Sequence, residues 1–303
     1  MNRKSFIQKS LSASLLLGAS QFPFEAFAAG EITKITLLHT NDQHSRIDPF
    51  PMDGSKNQGL GGMERRASLI EQIRASEKNI LLVDSGDIFQ GTPYFNKFMG
   101  AIEIELMNRM KYDAATYGNH DFDGGMENLA LRMSEASFPF LNSNYNFDNT
   151  AIKKTKPYKV IKYGSIKIGI FGVGIELSGL VPGKLFGETK YNDPIASANK
   201  TAAILKQDER CDLVICLSHL GYKYSTKKVS DIALATETKD IDVILGGHTH
   251  TFMPQPETLV NKNNQQVIIN QAGWAGIMLG RIDLFFDYRK RKYIHKNSLL
   301  KIG

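Results

Sequence analysis

Hydrophobic and polar positions along this chain fall into blocks that switch repeatedly between a strand period and a helix period. Residues 32–38 (Ile-Thr-Lys-Ile-Thr-Leu-Leu) form a β-type run that breaks into the polar stretch His39-Thr40-Asn41-Asp42-Gln43-His44-Ser45. Short apolar runs recur at 80–83, 213–218 and 243–245, and an apolar-leaning run spans 112–117; each ends at Asp, His or Gly. Between them, apolar residues at helical spacing predict helices over 63–76, 101–110, 126–136, 195–209 and around 228–236. The runs 158–163 and 166–173 flank Gly164-Ser165, which predicts a hairpin with a tight turn. Residues 138–144 predict a short strand, and 267–270, 276–279 and 281–287 the last strands of the fold. Segments 49–62 and 174–194, rich in Gly and Pro, predict irregular loops. No internal repeat or low-complexity tract breaks the pattern, so residues 29–303 are expected to form one domain. The alternation predicts α/β layering, and the hairpins make the sheets mixed.

At 303 residues, 42% hydrophobic and 22% charged, the chain is long enough to bury a substantial core. Its formal net charge is +6, and residues 1–28 hold three cations against one anion, so +4 remains without them. That excess is too small for a nucleic-acid footprint, and Arg289-Lys290-Arg291-Lys292 is expected to be a solvated basic turn. Residues 1–28 read as a secretory signal: a cationic start, an apolar stretch over 11–19, and Ala26-Phe27-Ala28 as a small-x-small cleavage site. Within it, Arg3-Lys4-Ser5-Phe6-Ile7 resembles a twin-arginine export signal with Lys in place of the second Arg. No other stretch reaches the ~18 apolar residues of a membrane span. The expected location is therefore periplasmic or secreted, with no integral membrane segment after signal removal. Cys211 and Cys216 are not expected to pair, because residues five apart along a strand lie ~16 Å apart on opposite faces.

The densest chemistry sits in Tyr117-Gly118-Asn119-His120-Asp121-Phe122-Asp123, where an amide, an imidazole and carboxylates crowd together. Four other segments share its context: Asp42/His44, Asp87, His219 and His248/His250 each fall just past the end of a predicted strand. Layered α/β proteins bind ligands in the crevice outside those ends. Imidazole nitrogens with carboxylate and amide oxygens, and no thiolate, suit Mn, Zn, Fe or Co rather than Ca²⁺. Seven such groups exceed the four that one tetrahedral zinc requires, so two divalent metal ions are expected. In His248-Thr249-His250, strand geometry would put the rings on opposite faces, and Gly246-Gly247 is expected to release the backbone from it. Asp84 is expected to cap its own turn, His39 to bond within its loop, and Tyr222, Tyr224 and Trp274 to serve packing.

Asp42-x-His44, Gly86-Asp87, Gly118-Asn119-His120-Asp121, His219 and Gly247-His248-Thr249-His250, in this order, resemble the motif set of the calcineurin-like metallophosphoesterases. Leu38-His39-Thr40-Asn41-Asp42, Gln90-Gly91-Thr92 and Phe122-Asp123 narrow the likeness to the 5′-nucleotidase branch. The resemblance implies a four-layer α-β-β-α sandwich of two mixed β-sheets around a dinuclear metal centre. It implies Asp42, His44, Asp87 and His250 on one metal and Asp87, Asn119, His219 and His248 on the other, with Asp87 bridging. Asn119 and His120 would also meet the substrate, with His120 catalytic and Asp123 its partner, Asp121 being the competing candidate.

The expected function is hydrolysis of a small phosphate ester, a nucleotide by resemblance. Related nucleotidases continue into a C-terminal nucleotide-binding domain for which this sequence shows no counterpart. That leaves either a less selective phosphomonoesterase or a catalytic subunit completed by a separately encoded nucleotide-binding chain. A 2′,3′-cyclic-nucleotide phosphodiesterase, a sulfur-ester hydrolase on the same scaffold, and a non-catalytic metal-binding protein are the alternatives.

Overall fold

The structure, a computed structural model, describes residues 32–287 and 292–303, with side chains undescribed over 292–296. The expected signal segment, the cations at 289–291 and the side chain of His295 lie outside that description. Among the described residues, no helix is long and apolar enough to cross a membrane.

Among the described residues two mixed sheets form the centre, and the short strands β4 (Tyr145–Asn146) and β7 (Lys190–Tyr191) pair with each other apart from them. The first has five strands in the order β13-β12-β1-β2-β3: β1 is Ile32–Thr40, β2 Ile80–Asp84, β3 Ala114–Ala115, β12 Met278–Asp287 and β13 Lys292–Lys301. The second has six, β10-β11-β9-β8-β6-β5: β5 is Tyr158–Tyr163, β6 Ile166–Gly174, β8 Leu213–His219, β9 Val243–Leu245, β10 Glu257–Val260 and β11 Gln266–Asn270. Pairs β1·β2, β2·β3, β6·β8, β8·β9 and β9·β11 are parallel, and β1·β12, β12·β13, β5·β6 and β10·β11 antiparallel.

Alternation along the strands explains the layering. In β8, Leu213, Ile215 and Leu217 point into the core between the sheets, where they meet the face made by Ile35, Leu37, Leu81 and Val83. Val214 and Cys216 point the other way, onto the helices Pro194–Ala203 and Asp231–Glu237 through Ala198, Ala202 and Leu234. On the far side of the first sheet, Leu38 and Leu82 pack under Met63–Ser76 and Ala101–Arg109 through Ile70, Ile73, Ile104 and Met107. The fold is thus the expected four-layer α-β-β-α sandwich. Strands covered on both faces read as unbroken apolar runs, which is why 80–83, 213–218 and 243–245 show no alternation with polar residues.

The helix over Met63–Ser76 and the hairpin of β5 and β6 fall where the sequence places them. The run over 138–144 instead contributes only single bridges at Phe140 and Leu141, and the segments 276–279 and 281–287 merge into the one strand β12. Cys211 and Cys216 are unpaired as expected. Yet both side chains lie in the same outer core, because Cys211 precedes the strand rather than belonging to it.

The sheets approach so closely at Gly172 that a Cβ there would sit 2.2 Å from the Leu141 carbonyl oxygen and 2.3 Å from Thr116 Oγ1. The first obstacle is backbone and cannot swing aside. Gly172→Ala is expected to destabilise the protein by about 1–3 kcal/mol, measured as a lowered denaturant midpoint at unchanged m. A midpoint equal to wild type would refute this account of the contact.

Candidate metal centre

Five loops leave the carboxyl ends of β1, β2, β3, β8 and β9 on one edge of the sandwich, and backbone hydrogen bonds tie them together. Asp42 N–H donates to Gly86 O at 2.9 Å and His44 N–H to Asp87 O at 3.0 Å, joining the loop after β1 to that after β2. Ser85 Oγ donates to Leu245 O at 2.8 Å, linking the two sheets. Asp121 is completely buried and gathers four amides: Gly118 at 2.8 Å, Asp87 at 3.0 Å, Ile88 at 2.9 Å and Phe89 at 3.1 Å. Burial and the Asp87 carboxylate push the Asp121 carboxyl up to about 7, while the Gly118 and Phe89 amides pull against them. Asp121 is therefore a knot between two loops, and His120 has another partner.

That partner is Asp123. Residues His120–Phe122 form one 3₁₀ turn, which puts His120 and Asp123, three apart, on the same side. His120 Nδ1 lies 2.7 Å from Asp123 Oδ2; the carboxylate accepts this N–H and, before burial opposes it, raises the imidazole pKa. The His120 amide donates to Asp87 Oδ1 at 2.8 Å, so the turn is anchored in the centre.

The seven expected ligands converge into two groups. Asp42, His44 and His250 offer atoms within 4.8 Å of one another, and so do Asp87, His219 and His248. Asn119 joins the second group, its Oδ1 lying 2.8 Å from His248 Nδ1. Asp87 Oδ2 lies 3.1 Å from His219 Nε2 and 3.8 Å from His44 Nε2, which places this carboxylate between the groups. His219 Nδ1 faces the Ser85 carbonyl at 2.7 Å and His44 Nδ1 faces the Gln90 carbonyl at 3.2 Å. Carbonyl oxygens accept only, so both rings carry hydrogen there and turn the bare Nε2 inward.

This donor set fits cations. Buried His219 Nε2 lies 3.1 Å from Asp87 Oδ2 but outside hydrogen-bond geometry, and His44 Nε2 lies 3.0 Å from His250 Nε2. A buried ring nitrogen without a partner is costly unless positive charge stands against it. Burial holds His44 below the usual imidazole range and His248 at about 4, keeping both neutral as ligation requires. For His219 the Asp87 and Asp42 carboxylates outweigh burial and hold its proton affinity up at about 10, a pull that a metal would answer instead.

The backbone is strained to achieve this. Asp42 (φ 50°), His44 (50°), Asp87 (56°), His248 (70°) and His250 (52°) all adopt left-handed conformations, each costing about 1 kcal/mol for a residue with a side chain. The two histidines themselves thus turn the His248-Thr249-His250 backbone. Gly246 and Gly247 are not among the residues with positive φ, which corrects the expected reason for those glycines. They are needed for space: a Cβ on Gly247 would come 2.9 Å from His219 Nδ1, and one on Gly246 2.0 Å from Asp231 Oδ2.

Two supports were not legible in sequence. Asp231 and Gln271, both completely buried, lie beneath the last loop; Gln271 Nε2 donates to Asp231 Oδ2 and to Gly247 O, each at 2.9 Å. Asp231 opens a helix and Gln271 follows a strand, so neither has a local pattern that marks it. Asp84 caps its turn as expected, accepting from Gly86 N–H at 2.8 Å and Thr40 Oγ1 at 2.6 Å. His39 departs from expectation: neither ring nitrogen has a partner, and burial lowers its pKa to about 4. It lies opposite Gly280 in the β1·β12 register, filling the volume a side chain there would take. Tyr224 donates to Leu220 O at 2.6 Å and Tyr222 to Glu257, which are packing roles.

Comparison with known proteins places this geometry. Residues 35–252 match the family model described as calcineurin-like phosphoesterase. A snake venom 5′-nucleotidase from Naja atra is 33% identical over 84% of this chain and 50% of its own length. The crystal structure of a 5′-nucleotidase precursor from Thermus thermophilus superposes with a TM-score of 0.79 at 30% identity, over 89% of this chain and 55% of that one. The calcineurin-like phosphoesterase YfkN of Bacillus subtilis superposes at 0.72 and 27% identity, over 89% and 91%. The chain spans about half the length of the curated relatives it matches. A match over most of its residues, on a sandwich whose loops bring together groups that could hold metal ions, makes this chain a member of the calcineurin-like phosphoesterase family.

Proposed function

We propose that this chain is an exported phosphomonoesterase of 5′-nucleotidase type with a dinuclear metal centre. The observation that carries the reading is the position of Asp87 between two groups of imidazoles. Asp42, His44, Asp87 and His250 would hold one ion, and Asp87, Asn119, His219 and His248 the other. When bound, two divalent cations supply Lewis acidity, lowering the pKa of a water and neutralising charge on phosphoryl oxygens. The chain's own groups do the rest. Asp123 takes the Nδ1 hydrogen of His120, so Nε2 is the nitrogen left to meet a phosphoryl or leaving-group oxygen. Asp121 and the strained loops hold the acceptors in place before substrate arrives, so no reorganisation is needed during the reaction. Export is supported by the signal-like residues 1–28, and a nucleotide substrate by the similarity to proteins named 5′-nucleotidase.

A substrate panel tests this. After chelation and reconstitution with Mn²⁺, Zn²⁺ or Co²⁺, the protein is expected to cleave AMP at least ten times faster than 2′,3′-cyclic AMP at equal concentration. The reverse order would make it a cyclic phosphodiesterase, and turnover of sulfur esters alone would overturn phosphate chemistry.

A further inference from the structure

A cavity of about 220 Å³ opens on the His44–His250 side of the centre, lined among others by Arg46, Thr92, Trp274 and Ala275. It is smaller than the ~300 Å³ at which pockets for whole drug-sized ligands begin. It therefore suits one part of a substrate. Its wall is unusually flat. Trp274, the chain's single tryptophan, lies parallel to His250, with ring centroids 5.6 Å apart and planes 6° from parallel. Phe50 meets Trp274 edge-on at 5.8 Å, and the Arg46 guanidinium lies 4.4 Å over the Phe50 ring.

The loop bearing Trp274 is fixed rather than draped. Asn41 binds it twice, donating to Gly273 O at 2.6 Å and accepting from Ala272 N–H at 2.8 Å. Ala275 N–H donates to Asp42 O at 2.7 Å, so the indole is tied through backbone to a proposed metal ligand. Core packing alone does not account for this residue, because Trp274 stays half-buried at the rim of a cavity beside the centre. A pre-positioned indole edge with an adjacent guanidinium is the chemistry that takes a planar, π-rich group.

We infer that the catalytic chain carries its own subsite for the aromatic part of the leaving alcohol, the base of a nucleoside or the ring of an aryl alcohol, with Trp274 as its platform. The inference rests on the phosphomonoesterase reading for its direction, because the group bound there is what the phosphate leaves. Arg46 then faces carbonyl or ring-nitrogen acceptors on that group, and Thr92 adds a hydroxyl.

A lone tryptophan reports on itself. Titrating the metal-loaded protein with adenosine is expected to change its tryptophan fluorescence saturably, while ribose at equal concentration leaves it unchanged. No response to adenosine, or an equal response to ribose, overturns the subsite. In kinetics, Trp274→Leu is expected to lower the ratio of kcat/KM for AMP to that for glycerol 2-phosphate about tenfold, and Trp274→Phe to retain most of it. A fall confined to AMP identifies a nucleoside occupant, and a parallel fall for phenyl phosphate any aryl group; an unchanged ratio overturns the proposal. Metal content of each variant is measured because Trp274 stacks on His250, and the wild-type titration stands whether or not a variant loads metal. Failure of the wild type to cleave any phosphate ester would remove the phosphomonoesterase reading, whereas the fluorescence titration tests the subsite by itself.

Discussion

Asp87→Asn is expected to lower kcat/KM by roughly 10⁴-fold, equivalent to about 5.5 kcal/mol of transition-state stabilisation, and to reduce bound metal from two ions per chain to one or none. Asparagine keeps the size of aspartate and tolerates left-handed backbone, so the φ of 56° at this position survives the change. The amide oxygen can still accept from the His120 N–H that now bonds Oδ1. What disappears is the negative charge between the two ligand groups, with Oδ2 3.1 Å from His219 and 3.8 Å from His44. No larger residue fits, because Gly118 lies so close that its own Cβ would fall 2.1 Å from Asp87 Oδ1. Elemental analysis alongside kinetics decides the matter: two metals with undiminished turnover in the variant would sink the bridging role.

The second large effect separates catalysis from metal binding. His120→Ala is expected to reduce kcat by about 10²–10⁴-fold while both ions remain bound. The ring is partly exposed, its Nδ1 partner is the neighbouring Asp123, and its edge-on contact with His44 at 5.3 Å is not what holds that ligand, whose Nδ1 faces the Gln90 carbonyl. The backbone amide that anchors the turn to Asp87 is kept in the variant. Asp123 acts through His120, so Asp123→Asn is expected to cost less than His120→Ala, and the two together no more than His120→Ala alone. Additive losses would show that Asp123 has a separate task.

Much of this centre was legible from residue types at strand ends. Asp42, His44, Asp87, Asn119, His219, His248 and His250 follow apolar or apolar-leaning runs that read as strand candidates, and parallel strands deliver their following loops to one edge. The order of strands could not be read the same way. β12 pairs with β1 from the opposite end of the chain, and β13 follows it, because pairing depends on which apolar faces meet in three dimensions. Local pattern also overstated 138–144, where single bridges suffice because Phe140 and Leu141 are buried by side-chain packing rather than by a ladder.

The sequence by itself determined the chemistry available: which groups could ligate, that they are neutral or anionic oxygen and nitrogen donors, and that they sit where layered strands end. Only the tertiary structure decided their division of labour. Asp121 and Asp123 are indistinguishable as letters two apart, yet one is buried under four amides and the other meets the imidazole, because a single 3₁₀ turn sends them in different directions. Likewise Asp231 and Gln271 carry no local mark, and Trp274 reads in the sequence as packing. Their roles arise from segments tens to more than two hundred residues apart meeting at one edge, and contact across that distance is a property of packing rather than of spacing.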